Sequence, residues 1–138
     1  MEVKKRRNKM RQKGFTLLEL LAVIVILAIV ALITVPLIMN TIEDAKEGAY
    51  EESVRGAIAT ASMDAARSKF QYENYVVKDG GVYRDDTKID MKGSISGTGI
   101  IVIRKEEGVK VSIQNGEICA YKDFKDEHVT YEKRTCPE

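Results

Sequence analysis

Lys13-Gly14-Phe15-Thr16-Leu17-Leu18-Glu19-Leu20-Leu21 is the stretch at which this chain changes character, and its reading decides the fold. Upstream, residues 1–14 hold seven bases (Lys4, Lys5, Arg6, Arg7, Lys9, Arg11, Lys13) against the single acid Glu2, a charge of +6. The other 124 residues carry 15 bases and 20 acids, −5, so the net +1 of the whole chain describes neither part. From Phe15 to Met39, 21 of 25 residues are apolar, and all seven leucines lie between Leu17 and Leu37. Beyond that run the chain relies on Val and Ile. At 138 residues there is room for one domain of ordinary size, which excludes a multidomain enzyme.

Leu20 to Met39 is twenty residues without a charge. As a helix it reaches about 30 Å, the hydrocarbon thickness of a bilayer. A cleaved secretory signal also starts with bases, but its apolar region runs to only about 7–15 residues and closes at a small-x-small site, which is missing here. A buried helix of a soluble protein fits poorly with one charge in 25 residues. Bases ahead of the span place the N-terminus on the cytoplasmic side and the C-terminal part outside.

That one charge, Glu19, needs an explanation, because an acid inside a membrane helix costs of order 2–3 kcal/mol near the centre and less near an end. A cut between Gly14 and Phe15 would supply one. The new α-amino group would start the helix with Glu19 as its fifth residue, and amine and carboxylate could pair within a chain or between chains packed side by side. The other reading is an interfacial Glu19 that reaches headgroup water.

The basic leader, Gly14-Phe15-Thr16-Leu17-Leu18-Glu19, the apolar run and Pro36 together resemble the N-terminus of type IV prepilins and related pseudopilins, over residues 4–45 or so. The resemblance implies that Gly14 ends a leader, residues 1–14, removed by a prepilin peptidase. Phe15 becomes the N-terminus that the same enzyme methylates, and Glu19 positions an incoming subunit. Pro36 corresponds to the proline that bends the long helix. Independently of any family, proline lacks a backbone donor and crowds the carbonyl four residues earlier, so a kink is expected near Leu32 to Pro36.

After Pro36 the helical pattern becomes amphipathic. Ile42, Ala45, Ala49, Val54, Ile58, Ala61 and Ala65 recur at helical spacing, with Glu43, Glu47, Glu51, Glu52, Arg55 and Arg67 elsewhere. A single helix from Phe15 to about Phe70 is one reading; two helices broken near Asn40 is the other. Further on, Ile100–Arg104, Val109–Ile113 and Glu117–Tyr121 alternate apolar and polar residues, with Asn115-Gly116 as a hairpin signal and Val129–Lys133 as a further strand. The fold expected is therefore α+β: a long N-terminal helix packed on a small antiparallel sheet of three or four strands. Its parts are a membrane-spanning or filament-core half over 15–39, an amphipathic half over 40–70, a connecting loop region over 71–98, and a sheet with a C-terminal disulfide-bounded region over 99–138.

Cys119 and Cys136 fall in the exported part, where disulfides persist. They allow one intramolecular pairing, which would add about 3 kcal/mol on the chain-entropy model. Two free thiols or an intermolecular bridge are the other readings. With His128 the two cysteines do not make a closed tetrahedral zinc set. The glycine cluster 93–99 lacks the Gly-Lys-Ser/Thr ending of a phosphate loop and precedes a strand instead of a helix. Asp85, Asp86 and Asp90 do not have helix-loop-helix calcium spacing. No nucleophile, base and oxyanion group assemble, so no catalytic residue, metal or cofactor is expected.

The resemblance implies a subunit that waits in cytoplasmic membrane lipid and is then lifted by pilus or secretion assembly machinery into a helical filament with copies of itself and other pilins. The filament would stand at the cell surface, for adhesion, motility or surface interaction. A pseudopilin of a type II secretion or DNA-uptake (competence) apparatus is the alternative. Direct nucleic-acid contact is not expected, because the segment after residue 14 is acidic and only Arg104-Lys105 and Lys133-Arg134 are adjacent bases in it.

Overall fold

The structure, a computed structural model, describes residues 14–137; the expected leader, apart from Gly14, lies outside them. Its one helix, α1, runs Leu17–Arg67, 51 residues with Pro36 inside, so the two-helix alternative is not what the chain adopts. Contacts divide the chain after Ile42, and each part is described by itself.

Up to Ile42, α1 is a helix whose apolar side chains have no cover, Leu17 at 83% and Leu32 at 79% exposure among them. Nothing in its own sequence marks a wet face, and leucine, isoleucine, valine and alanine surround the axis. Two hydroxyls on it are satisfied locally: Thr34 Oγ1 donates to the Val30 carbonyl at 2.7 Å and Thr41 Oγ1 to the Leu37 carbonyl at 3.3 Å. A hydroxyl placed in lipid needs such a partner.

From Glu43 onward the helix has one buried face, made by Tyr50, Val54, Ala57, Ala61 and Ala65. This corrects the expected stripe. Ile42, Ala45 and Ala49 are exposed and Ile58 is half-buried, while Tyr50 and Ala57 are inside. The sheet covers the apolar face of the helix only from Tyr50 on, its earlier contacts being the Lys133 ion pairs to Glu43 and Glu47, and three alanines let the two backbones approach closely where larger residues would hold them apart. The helix ends in a Schellman motif: the Phe70 N–H bonds the Ala65 carbonyl at 2.7 Å and the Lys69 N–H the Ala66 carbonyl at 3.2 Å, with Lys69 at φ 54°.

Seven strands follow: β1 Asn74–Lys78, β2 Gly81–Arg84, β3 Thr87–Lys88, β4 Thr98–Arg104, β5 Gly108–Asn115, β6 Ile118–Lys122 and β7 Thr130–Lys133. They form one sheet in the order β3-β2-β1-β4-β5-β6-β7, antiparallel at every pairing. The α+β class is as expected, but the sheet has seven strands where three or four were expected. The excess comes from the stretch expected as a connecting loop over 71–98, which holds β1, β2, β3 and the first residue of β4. Two tight turns make this possible. Asp79-Gly80 (φ 48° and 72°) closes β1 on β2, and Asp85-Asp86 (φ 45° and 63°) closes β2 on β3. Two residues at positive φ suit the right-handed twist of a hairpin, and aspartate tolerates that region better than most.

The expected hairpin beyond β5 is present but turns one residue later, on Gly116-Glu117, because Asn115 pairs with Ile118. Gly116 alone has positive φ there (57°), the arrangement of a turn with glycine at its first central position. Alternation then sorts each strand. Tyr75, Val77, Ile101, Ile103, Val111 and Ile113 are buried against the helix, with Val82, Ile95 and Ala120. Tyr50 completes this core by donating its hydroxyl to the Ile113 carbonyl at 2.9 Å. At the far end Asp64 accepts from Arg84 at 2.9 and 2.7 Å and from the Tyr75 hydroxyl at 3.1 Å, which ties the last turns of α1 to β1 and β2.

Candidate functional site

The sequence pointed to Gly14, Phe15 and Glu19, and the structure adds Thr16 to them. Gly14, Phe15 and Thr16 are outside the helix, and the Phe15 side chain is 86% exposed. The first intrahelical bond is accepted by the Thr16 carbonyl, from the Leu20 N–H at 3.2 Å. Thr16 is therefore the N-cap and Glu19 the third residue of the helix.

Their side chains bond reciprocally. Thr16 Oγ1 accepts from the Glu19 N–H at 3.2 Å. The Glu19 carboxylate in turn accepts from the Thr16 N–H at 3.0 Å and from the Thr16 hydroxyl at 3.2 Å. This is a capping box: it satisfies donors that a helix start leaves free and sets a carboxylate at the positive end of the dipole. The sequence carries the signal, Thr-x-x-Glu ahead of an apolar run. Glu19 is thus satisfied within its own segment without a cationic partner. The second explanation offered from sequence, an acid near the water-facing end of the span, also suits a residue in the first turn.

Pro36 lies twenty residues into α1 from Thr16 and removes one backbone donor from the ladder. Thr34, two residues before it, bonds back on the Val30 carbonyl, a contact that slightly loosens helices. Weakness in the helix is therefore concentrated between Val30 and Pro36.

The C-terminal end is closed by the Cys119–Cys136 disulfide, the intramolecular pairing among the three readings left open by the sequence. The tail it anchors crosses the sheet face opposite α1. There Gln114 accepts from the Cys136 N–H at 2.7 Å and donates to the Arg134 carbonyl at 3.2 Å, while Ser112 donates to the Pro137 carbonyl at 3.0 Å. Beside it, Lys133 on β7 reaches Glu43 at 2.9 Å and Glu47 at 3.5 Å. The hydrogen bond and charge of Lys133 hold the Glu43 carboxyl below its usual range, and Glu43 raises Lys133 in the same way. Both side chains are more than half exposed, so the pair steers the β7 edge and adds little stability. Asp86 is paired with Lys78 at 2.8 Å.

The family model described as the prokaryotic N-terminal methylation motif matches residues 9–35. The match includes Gly14, Phe15, Thr16 and Glu19 and stops one residue short of Pro36. No significant match was found among curated proteins or among solved structures.

Proposed function

We propose that this chain, which carries the type IV prepilin signature, is the precursor of a structural filament subunit and works through assembly, not catalysis. A prepilin peptidase removes residues 1–14 and methylates Phe15. The subunit then leaves the cytoplasmic membrane, with its sheet domain outside, and joins copies of itself and other pilins in a surface filament. The observation that carries this reading is the matched motif at residues 9–35, lying on a helix whose apolar residues up to Met39 are uncovered.

Physical chemistry supports the same sequence of events. Twenty apolar residues leave lipid without loss only if other apolar helices replace it, at about 25 cal/mol for each Å² kept from water. Within such a dry core an unpaired carboxylate is expensive, so Glu19 facing the new amine of Phe15 penalises any subunit out of register. Pro36 and the loosened turns before it give the helix a place to bend as it packs.

The test is expression with a prepilin peptidase and assembly machinery, followed by electron microscopy and mass spectrometry of sheared surface material. Filaments built from a subunit starting at Phe15 are expected. A processed subunit that never leaves the envelope, in cells that lose protein export or DNA uptake when it is deleted, would instead favour the pseudopilin alternative.

A further inference from the structure

We infer that Thr16 is a positioning residue for leader removal: its side chain ends the helix so that the Gly14–Phe15 peptide bond stays outside it and open to attack. The inference rests on the processing proposed above and goes beyond it by naming what presents the bond.

The argument is one of competition for a donor. To draw Phe15 into α1, its carbonyl would have to accept from the Glu19 N–H, four residues on. That donor is already held by Thr16 Oγ1 at 3.2 Å. Extending the helix also needs Thr16 in helical geometry, whereas its N–H is turned onto the Glu19 carboxylate at 3.0 Å. Both bonds hold Thr16 in the non-helical conformation of an N-cap. Helix propagation therefore stops two residues after the bond to be cut.

A stop is needed here because an apolar helix in lipid otherwise gains by extending: each added intrahelical bond spares a backbone group exposure to hydrocarbon. Gly14 discourages extension through its own flexibility but offers no side chain to block it. A peptidase has to reach the Gly14 carbonyl carbon from one side and water has to approach it. In a continued helix that carbonyl would bond the Leu18 N–H and lie against the next turn. The capping box thus separates two duties at one end of α1. The Thr16 hydroxyl, working on a backbone N–H, exposes the cut, and the Glu19 carboxylate, which helps by holding the Thr16 N–H, turns to the new amine in the subunit that the cut creates.

The experiment uses the full-length precursor in phospholipid vesicles with a reconstituted prepilin peptidase, and reads initial cleavage rates for the natural chain and three variants. Thr16→Val keeps the branched shape and nearly the same helix preference but removes the capping oxygen. Cleavage should slow about fivefold, the population change that a typical N-cap contribution implies. Thr16→Ser and Thr16→Asn, which cap but differ in shape from each other, should both restore the rate. Phe15 carbon chemical shifts in the uncleaved precursor should be non-helical in the natural chain and move toward helical values in Thr16→Val. Equal rates for Thr16→Val and the natural chain, or rescue by Ser but not Asn, would overturn the inference; the second result would mean that the peptidase reads the residue's shape directly. Helical shifts at Phe15 in the natural chain would overturn it whatever the rates. No cleavage of the natural chain would overturn the processing reading itself.

Discussion

Thr16 and Glu19 hydrogen-bond each other in both directions, hydroxyl to backbone N–H at 3.2 Å and carboxylate to backbone N–H at 3.0 Å. A single acid at the edge of an apolar helix therefore has a local partner, and on the processing proposed above it would be free to take a different one at the new N-terminus of Phe15.

Replacing that acid should separate processing from assembly. Glu19→Ala keeps the Thr16 hydroxyl bond, because the donor is the backbone N–H, so leader removal should be largely intact while filament incorporation falls. Glu19→Gln retains capping geometry without the charge. Yield of sheared filaments should fall for both; normal yield from Glu19→Gln would remove the charge-pairing account of register.

Two glycines should respond in opposite directions. At Gly99 an added Cβ would run into the Ser112 carbonyl oxygen and lie 2.6 Å from the Ile113 Cα, so Gly99→Ala forces β4 and β5 apart. Gly48 is inside α1 with nothing within 4 Å of an added Cβ. There alanine should stabilise by about 0.5–1 kcal/mol through helix preference, whereas Gly99→Ala should destabilise by about 2 kcal/mol or more. Denaturant melts of the detergent-solubilised protein, followed by near-ultraviolet circular dichroism, measure both.

Loss of the disulfide should be felt in stability before function. The bridge closes 17 residues of chain, and reduction or Cys136→Ala should cost about 3 kcal/mol on the chain-entropy model. It should also release the tail from Gln114 and Ser112. Proteolysis after Arg134 in reduced but not oxidised protein is the expected signature.

Alkaline pH should unfold the sheet domain through two tyrosines. Burial is the main force pushing the Tyr50 and Tyr75 hydroxyls up to about 12; for Tyr75 the neighbouring Asp64 adds to it. Because the folded values lie above the unfolded one of about 10, the contribution is complete below pH 10 and is lost as pH rises from 10 through 12. At the acid end the sign reverses for Glu43. Its depressed value means that its contribution is present above about pH 4.5 and disappears as pH falls through the folded value. Tyr50→Phe should weaken the alkaline dependence and lower stability throughout, since the buried bond from the Tyr50 hydroxyl to the Ile113 carbonyl is lost.

Much of this was legible in the residues. Twenty uncharged positions mark the long apolar helix that α1 begins with, and Asn115-Gly116 between alternating runs marks a hairpin. The missed strands are short. Tyr75-Val76-Val77 and Val82-Tyr83 offer too few alternations to stand out, and Asp79-Gly80, a hairpin signal in its own right, lies within the mixed stretch expected as a connecting loop. Asp85-Asp86 gave less, since two acids read more readily as a solvated loop than as a turn at positive φ. The helix stripe drifted because alanines occur on several faces of α1, and only the sheet decides which are covered. Thr16 is hard to read for a different reason: an acid in an apolar run suggests a cation as its partner, whereas Glu19 is met by a backbone donor three residues away.

The most direct measurement is the intact mass of the protein isolated from the cell envelope. The account predicts a chain lacking residues 1–14, beginning at Phe15 and heavier by one methyl group. A chain that retains residues 1–14 would contradict it and leave a single-pass anchored domain in its place.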